Sequence, residues 1–188
     1  ASSLADVTGA NGALAELFRM KEEGLVQAVG LAAGRVDVMM PILREWDFDA
    51  LITHNRFTLA NRNAAEMMDL ALTRGIAVLN AAPYSGGVLA KGTQVHKRYV
   101  YQQAAPDVLA PIARIEEVCA RHGIPTGAGA LQFSMRDQRV TSTVCGISKP
   151  ERITQTLEWA RYPIPKAAWD ELLALPSETS DPEATRVY

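Results

Sequence analysis

One pattern constrains the fold of this chain more than any single motif: an amphipathic helix, a glycine and a short apolar strand, in that order, several times over. "GALAELFRMKEE" places Leu14, Leu17 and Phe18 on one helical face, and Gly24 ends that helix before "LVQAVGLAA" runs into a strand. "RVDVMMPILREW" leads into "DALITH", "AAEMMDLALTR" leads through Gly75 into "IAVLNA", and "PIARIEEVCAR" ends at His122 and Gly123. The last unit is less regular: a small-residue helical segment at 126–135, the strand "TSTVCGI", then the helix "KPERITQTLEWAR". Strands are therefore expected at 26–31, 49–54, 76–80 and 141–147. Two helix starts carry capping-box spacing: Ser148 with Glu151 and Pro150, and Asn63 with Glu66.

Helices alternating with short apolar strands predict parallel pairing through crossovers, hence an α/β fold and neither a sandwich nor a bundle. Two architectures fit. A doubly wound dinucleotide fold calls for G-x-G-x-x-G after an early strand, and the sequence has none. Four units also equal half of an eight-stranded barrel, whose usual span is about 250 residues. Composition does not decide between them. A length of 188 residues suits one domain, expected over 1–175, with "PSETSDPEATRVY" at 176–188 as a polar, disorder-prone tail that has little to bury.

Charge narrows the partners. Nineteen Lys and Arg against 21 Asp and Glu give a net charge of -2, which offers no broad attraction for nucleic acid or an anionic membrane. The basic and aromatic stretch "KGTQVHKRYVYQQAAP" is too short a patch to change that. Two cysteines, Cys119 and Cys145, make no disulfide framework, and neither a signal peptide nor a spanning helix is encoded, so a cytoplasmic location is expected. The three histidines lack the neighbours of a metal site, and no serine sits in G-x-S-x-G.

Two loops that follow strands carry the candidate chemistry. "LNAAPYSGG" ends the third strand in small residues and two glycines; glycine lets backbone approach a phosphate closely, and successive amides can form an anion-binding hollow. A bare βα connection is the other reading, with Tyr84 covering a rim. "GISKPERITQT" delivers a strand to a helix start, where free amides and the dipole favour phosphate. There Arg152 is either a ligand cation or a solvated helix charge.

"GLAAG", "DFDALITHNRFTLANR", "RGIAVLNAAPYSGGVLAKG", "YVYQQAAPDVLAPIARIEEVCARHGIP", "ALQF" and "VCGISKPERITQTLEWA" occur in an order that resembles the C-terminal half of an aldo-keto reductase. The likeness covers residues 12–173. It is nearest to the bacterial aldose dehydrogenases of the L-fucose and D-threo-aldose type, with the pyridoxal 4-dehydrogenases nearby. The resemblance implies a (β/α)8 TIM barrel in which the four strands are barrel strands five to eight. It also implies hydride transfer between NAD or NADP and a sugar, a small alcohol or an aldehyde.

Residue by residue, the family pattern puts the nicotinamide and pyrophosphate against Ala81, Ala82, Tyr84, Ser85, Gly86 and Gly87, with Ala81 too small to stack. It puts the adenosine end on Gly146, Ile147, Ser148, Lys149, Arg152, Gln155 and Thr156. Relatives that prefer NADP carry Lys and Ser where this chain has Gly146 and Ile147, so NAD is favoured, although Lys149 and Arg152 could still grip a phosphate. Ala32, Ala33 and Gly34 stand where relatives hold the carboxamide; His54 or Asn55 is the candidate replacement. Phe57 is expected to pack, Arg62 to pair at a helix start or link loops, and Tyr99 or Tyr101 to touch a sugar hydroxyl.

The family's catalytic Asp, Tyr, Lys and His belong to the half that has no counterpart in this sequence, so no catalytic residue is assigned. The partners implied are a dinucleotide, a small substrate, and either that N-terminal half or a second copy. A non-catalytic dinucleotide-binding half-barrel that needs a partner chain is the alternative.

Overall fold

Gly24, Gly75 and Gly123 all take left-handed φ values, of 74°, 67° and 64°, just past the end of a helix. After each, the next N–H reaches back five residues: Leu25 to the Met20 carbonyl, Ile76 to Ala71 and Ile124 to Cys119, all at 2.9 Å. The three helix ends are thus the same closing motif, which satisfies exposed carbonyls and turns the chain toward the next strand. That repeat is the sequence rhythm in three dimensions.

The computed structural model describes residues 4–184. In chain order the elements are α1 (Leu4–Thr8), α2 (Ala13–Glu22), β1 (Gly30–Leu31), α3 (Val36–Glu45), β2 (Ala50–His54), α4 (Ala65–Thr73) and β3 (Ala77–Ala81). A 3-10 turn at Ser85–Gly87 opens into α5 (Val88–Lys91), followed by β4 (Arg98–Tyr99), β5 (Gln102–Gln103), α6 (Pro106–Arg121) and α7 (Thr126–Met135). The last elements are β6 (Ser142–Val144), α8 (Glu151–Ala160) and α9 (Lys166–Ala174).

β1, β2, β3 and β6 form one parallel sheet in that order, with β4 and β5 as a separate antiparallel hairpin. A doubly wound sheet reverses strand order at a switch point, whereas here each strand lies beside its predecessor, as in a barrel wall. The fold is α/β and resembles the (β/α)8 barrel family, with four strands of the wall among the described residues. No helix of the described residues is long and apolar enough to cross a membrane.

The register separates two faces. Leu31, Leu51 and Val78 share a row, and all three are buried. Thr53, Asn80 and Thr143 share the next row on that face; the Asn80 amide donates to the Phe57 carbonyl and to Ser134 Oγ, both at 2.8 Å. Helices cover this side with Met39, Leu43, Met67, Met68 and Leu131, each worth roughly 1.5–3 kcal/mol of burial. The opposite face, with Ala50, Ile52, Ala77 and Leu79, is only half-buried, although parallel sheets ordinarily have both faces covered.

Several expectations need correcting. The first strand shrinks from 26–31 to Gly30–Leu31 because the Val29 N–H is taken at 2.7 Å by Asp49, which also binds Lys21 at 2.6 Å. The last shrinks from 141–147 to Ser142–Val144, an edge strand paired on one side only. Neither capping box forms. Asn63 turns its amide to the Thr179 carbonyl at 2.7 Å, and α8 begins after Pro150 with no side-chain cap, since Pro150 already has helical φ and ψ. Helix α6 starts at Pro106, a turn before Pro111. Leu17 is 39% exposed at the margin of the α2 face, while Phe18 packs on Trp46 and Phe48 at 5.2 and 5.3 Å.

The polar segment after 176 also departs from its expected disorder. Asn61 and Glu178 form a parallel bridge, the Asn61 amide donates to the Ser180 carbonyl at 3.0 Å, and Glu183 is 6% exposed. Its carboxylate meets Arg56 Nη1 at 3.1 Å, and Asp181 meets Arg56 Nη2 at 2.7 Å. The apolar count understated this segment because its anchor is ionic. The remaining tail positions, 185–188, lie outside the described residues.

Candidate functional site

The C-terminal ends of β2, β3 and β6 fall in one row, His54 beside Ala81 beside Val144, and this row lies along a cleft. The cleft has a volume of about 820 Å³, within the size of a small-molecule site. Its far wall is one face of α8, where Arg152, Gln155, Thr156 and Trp159 follow the i, i+3, i+4, i+7 spacing. Gly146, Ile147, Ser148 and Lys149 connect β6 to that wall.

The near wall is the loop after β3. Ala82, Ser85, Gly86 and Gly87 all have positive φ, at 55°, 50°, 73° and 106°. Only glycine takes such values without strain, so Ala82 and Ser85 hold a backbone shape that side-chain economy would not choose. The two glycines serve different ends. A methyl group at Gly86 would lie 2.7 Å from the Tyr101 N, so this position admits the β4–β5 hairpin against the loop. At Gly87 it would meet nothing closer than His96 Nε2 at 3.7 Å and Lys91 Nζ at 3.9 Å, so the space beside this residue is open, although its N–H is given to the Tyr84 carbonyl at 2.9 Å.

Thirteen of the fourteen residues proposed from sequence line this one cleft: His54, Ala81, Ala82, Tyr84, Gly86, Gly87, Gly146, Ile147, Ser148, Lys149, Arg152, Gln155 and Thr156. Ser85 does not. It is fully buried beneath the loop, where its hydroxyl donates to Thr58 Oγ1 at 3.1 Å and its carbonyl accepts the Val100 N–H at 3.2 Å. Asn55 is likewise buried behind His54, not in the cleft, and Ala32 and Ala33 stand apart from it.

Phe57 packs on Phe133 at 5.1 Å. Arg62 lies over the Phe133 ring at 5.4 Å, and neither its Nε nor its Nη2 has a hydrogen-bond partner among the described residues. Tyr101 reaches the cleft, whereas Tyr99 lies outside it against the core, its phenol pushed up to about 12 by burial.

Sequence reasoning missed Lys91 and Trp159 as lining residues. Both were legible as spacing: Lys91 stands one helical turn after Gly87, so α5 returns its side chain to the loop, and Trp159 extends the Arg152 face.

The cleft is electrostatically one-sided. Lys91, Lys149 and Arg152 line it, and among the described residues none of the three makes an ion pair and no carboxylate lines the cleft. His96 adds no charge near neutrality, because burial first and the Lys91 charge second hold its imidazole below the usual range. Burial likewise raises the Tyr84 phenol and the Cys145 thiol, so both keep their protons. Tyr84 meets Trp159 edge-on at 5.8 Å, joining the two walls at the cleft floor. Chemically, three cations lining one cleft suit it to an anionic group.

Comparisons with known proteins agree with this architecture. The profile of the Aldo/keto reductase family matches residues 10–175. A D-threo-aldose 1-dehydrogenase from a Pseudomonas species is 31% identical over 158 residues, which cover 83% of this chain and 48% of that protein. A pyridoxal 4-dehydrogenase from Microbacterium luteolum is 27% identical over 162 residues, 86% of this chain and 47% of that protein. The chain therefore spans about half the length of the curated relatives it matches. An aldo-keto reductase of Bacillus halodurans, in apo and holo forms, superposes with a TM-score of 0.73 at 16% identity. It covers 95% of this chain, and this chain covers 61% and 60% of the two forms. The chain belongs to the aldo/keto reductase family.

Proposed function

We propose that this chain is the cofactor-holding part of a cytoplasmic, NAD(P)-dependent oxidoreductase of the aldo-keto reductase type, acting on a sugar or a small alcohol or aldehyde. The observation that carries the reading is the cationic cleft, where Lys91, Lys149 and Arg152, with no carboxylate among the described lining residues, face a glycine loop at the ends of parallel strands. The residues present fit a dinucleotide. The Lys91 ammonium holds the pyrophosphate in the space that Gly87 leaves beside the loop, while Arg152, Gln155 and Thr156 hold the adenosine end. Ala81, His54 and Tyr101 enclose the nicotinamide end. When bound, the nicotinamide supplies the hydride acceptor or donor; the residues of this chain bind it, orient it and keep water from one side.

In this reading β1, β2, β3 and β6 are barrel strands five to eight, residues 1–175 form that half-barrel and 176–188 its polar tail. Gly146 and Ile147 supply no cation for a ribose phosphate, which favours NAD over NADP. A titration of the 188-residue chain with NAD+ and with NADP+, followed through the tryptophan fluorescence to which Trp159 contributes, tests both points. Saturable binding with NAD+ at least as tight supports the reading; tighter NADP+ removes the preference.

A second reading, a non-catalytic dinucleotide-binding half-barrel that works with a partner, is favoured by the half-covered strand face. Helix α8 has no buried residue, and its Ile153 and Leu157 are each 51% exposed. An N-terminal half or a second copy would cover these surfaces. Sedimentation of the chain, alone and at rising concentration, distinguishes self-association from a stable monomer.

A further inference from the structure

Beside Gly87 stands a histidine that does not itself line the cleft. His96 follows α5, with its backbone N–H held by the Gly92 carbonyl at 2.9 Å. Its side chain is half-buried, and the ring Nε2 is buried with no hydrogen-bond partner among the described residues. A methyl group built on Gly87 would lie 3.7 Å from that nitrogen and 3.9 Å from Lys91 Nζ, so the imidazole and the ammonium border one open space. Gly87 and Lys91 both line the cleft, which makes this space part of its wall.

The surroundings of His96 oppose a positive ring. Burial does so most and the Lys91 ammonium of α5 next; Arg98 of β4 adds to them, and the Gly86 carbonyl works the other way. Lys97 is one more cation beside it in the chain. Helix α6 brings up Glu116, but that carboxylate is engaged by Thr93: Oε1 accepts the Thr93 N–H and Oε2 the Thr93 hydroxyl, both at 2.6 Å. No carboxylate of the described residues offsets the cations at the ring.

An anion in that space reverses the balance. Negative charge within about 4–6 Å favours the protonated form of an imidazole, and it does so most where no other carboxylate competes. We propose that His96 is a proton-coupled member of the anion seat: neutral in the empty cleft, it takes up a proton when a pyrophosphate enters beside Gly87, and the imidazolium then shares that charge with Lys91. The inference rests on the cofactor reading for the identity of the anion. Its sign follows from linkage. The complex binds more protons than the free chain, so affinity is lowest at high pH and rises as pH falls through the midpoint of His96 in the complex. It levels off below the midpoint of the free chain.

The test is calorimetric titration with NAD+ from about pH 8 down to about pH 5.5, a range that spans an ordinary histidine, each in two buffers of different ionisation heat. The expected result is an affinity gain of about threefold to tenfold on acidification, the effect of a midpoint shift of up to about one pKa unit. The buffer dependence of the heat should show proton uptake on binding. The chain has three histidines, and His96→Gln should remove both the gain and the uptake. Uptake that survives in His96→Gln belongs to another group and overturns the assignment.

A magnetic resonance titration of the His96 ring signals in the unaltered chain is the second arm. NAD+ should move its midpoint upward, and in the free chain Lys91→Ala should also move it upward, because a repelling charge is gone. A midpoint that NAD+ leaves in place, or that Lys91→Ala leaves in place, overturns the shared space. Saturable NAD+ binding with the same affinity at every pH overturns the coupling and leaves the cofactor reading standing. No saturable binding at any pH overturns both.

Discussion

Arg56 and Glu183 are 127 positions apart and meet as an ion pair at 3.1 Å, with side chains 1% and 3% exposed. The pair ties the end of the described chain to the strand that carries His54. A buried pair adds little net stability over an apolar replacement, but removing one partner strands the other charge in a poorly solvated place. Glu183→Ala should therefore lower unfolding stability by about 3 kcal/mol in urea titrations. A variant as stable as the parent would show that Asp181, 2.7 Å from the same guanidinium, satisfies Arg56 alone.

Gly86 and Gly87 should respond differently to alanine. Both pay the left-handed penalty of roughly 1–2 kcal/mol, but only at Gly86 does the new methyl strike backbone, at Tyr101. Gly86→Ala is expected to melt earlier than Gly87→Ala and to loosen the β4–β5 hairpin, seen as faster amide exchange at Val100. Gly87→Ala is expected to keep more stability yet weaken NAD+ binding, because its methyl would fill the open space beside Lys91 in the cleft. The reverse order would place the ligand elsewhere.

Acid stability should depend on Asp137. Burial alone would raise its carboxyl, but the Arg139 side chain, its N–H and its charge together outweigh that and hold it below the usual carboxylate range. A depressed folded value means the contribution is present above the unfolded pKa of about 3.9 and is lost as pH falls through the lower folded value. Asp137→Asn should thus reduce stability at neutral pH and flatten the acid limb of a stability-against-pH curve. An unchanged acid limb would remove Asp137 from the account.

What could be read in the sequence was whatever depends on local spacing. The glycine stops after α2, α4 and α6 and the clustering of the two strand-end loops follow from periodicity and backbone permissiveness, and both are present. The β4–β5 hairpin was not legible. Its two-residue turn is Val100–Tyr101, at φ 42° and 71°, where the usual signal is Asn-Gly. Packing against Gly86 imposes that turn on residues that disfavour it. The polar tail was misread for a related reason: Asn63 looks like a helix cap until Thr179 arrives from more than a hundred residues away. Sequence proximity made the cap the simpler expectation, and tertiary contact overrode it.

The charge of the cleft gives a further expectation. Lys91, Lys149 and Arg152 are unpaired among the described residues, so removing any one should weaken a dinucleotide, with Arg152→Ala costing about tenfold, or roughly 1.4 kcal/mol. The loss should shrink as salt is raised, since exposed charges are screened within about 10 Å at 0.1 M ionic strength. Calorimetric titrations at low and high salt check this. A salt-independent loss would mean that Arg152 acts by packing on the ligand and not by its charge.

The central claim, that the cationic cleft between the glycine loop and α8 seats a dinucleotide, is tested most directly by calorimetric titration of the 188-residue chain with NAD+. The account predicts saturable binding of one NAD+ per chain, abolished when Lys91, Lys149 and Arg152 are replaced together by alanine in a chain that still melts cooperatively. Absence of saturable binding, or binding that survives the triple replacement, would contradict it.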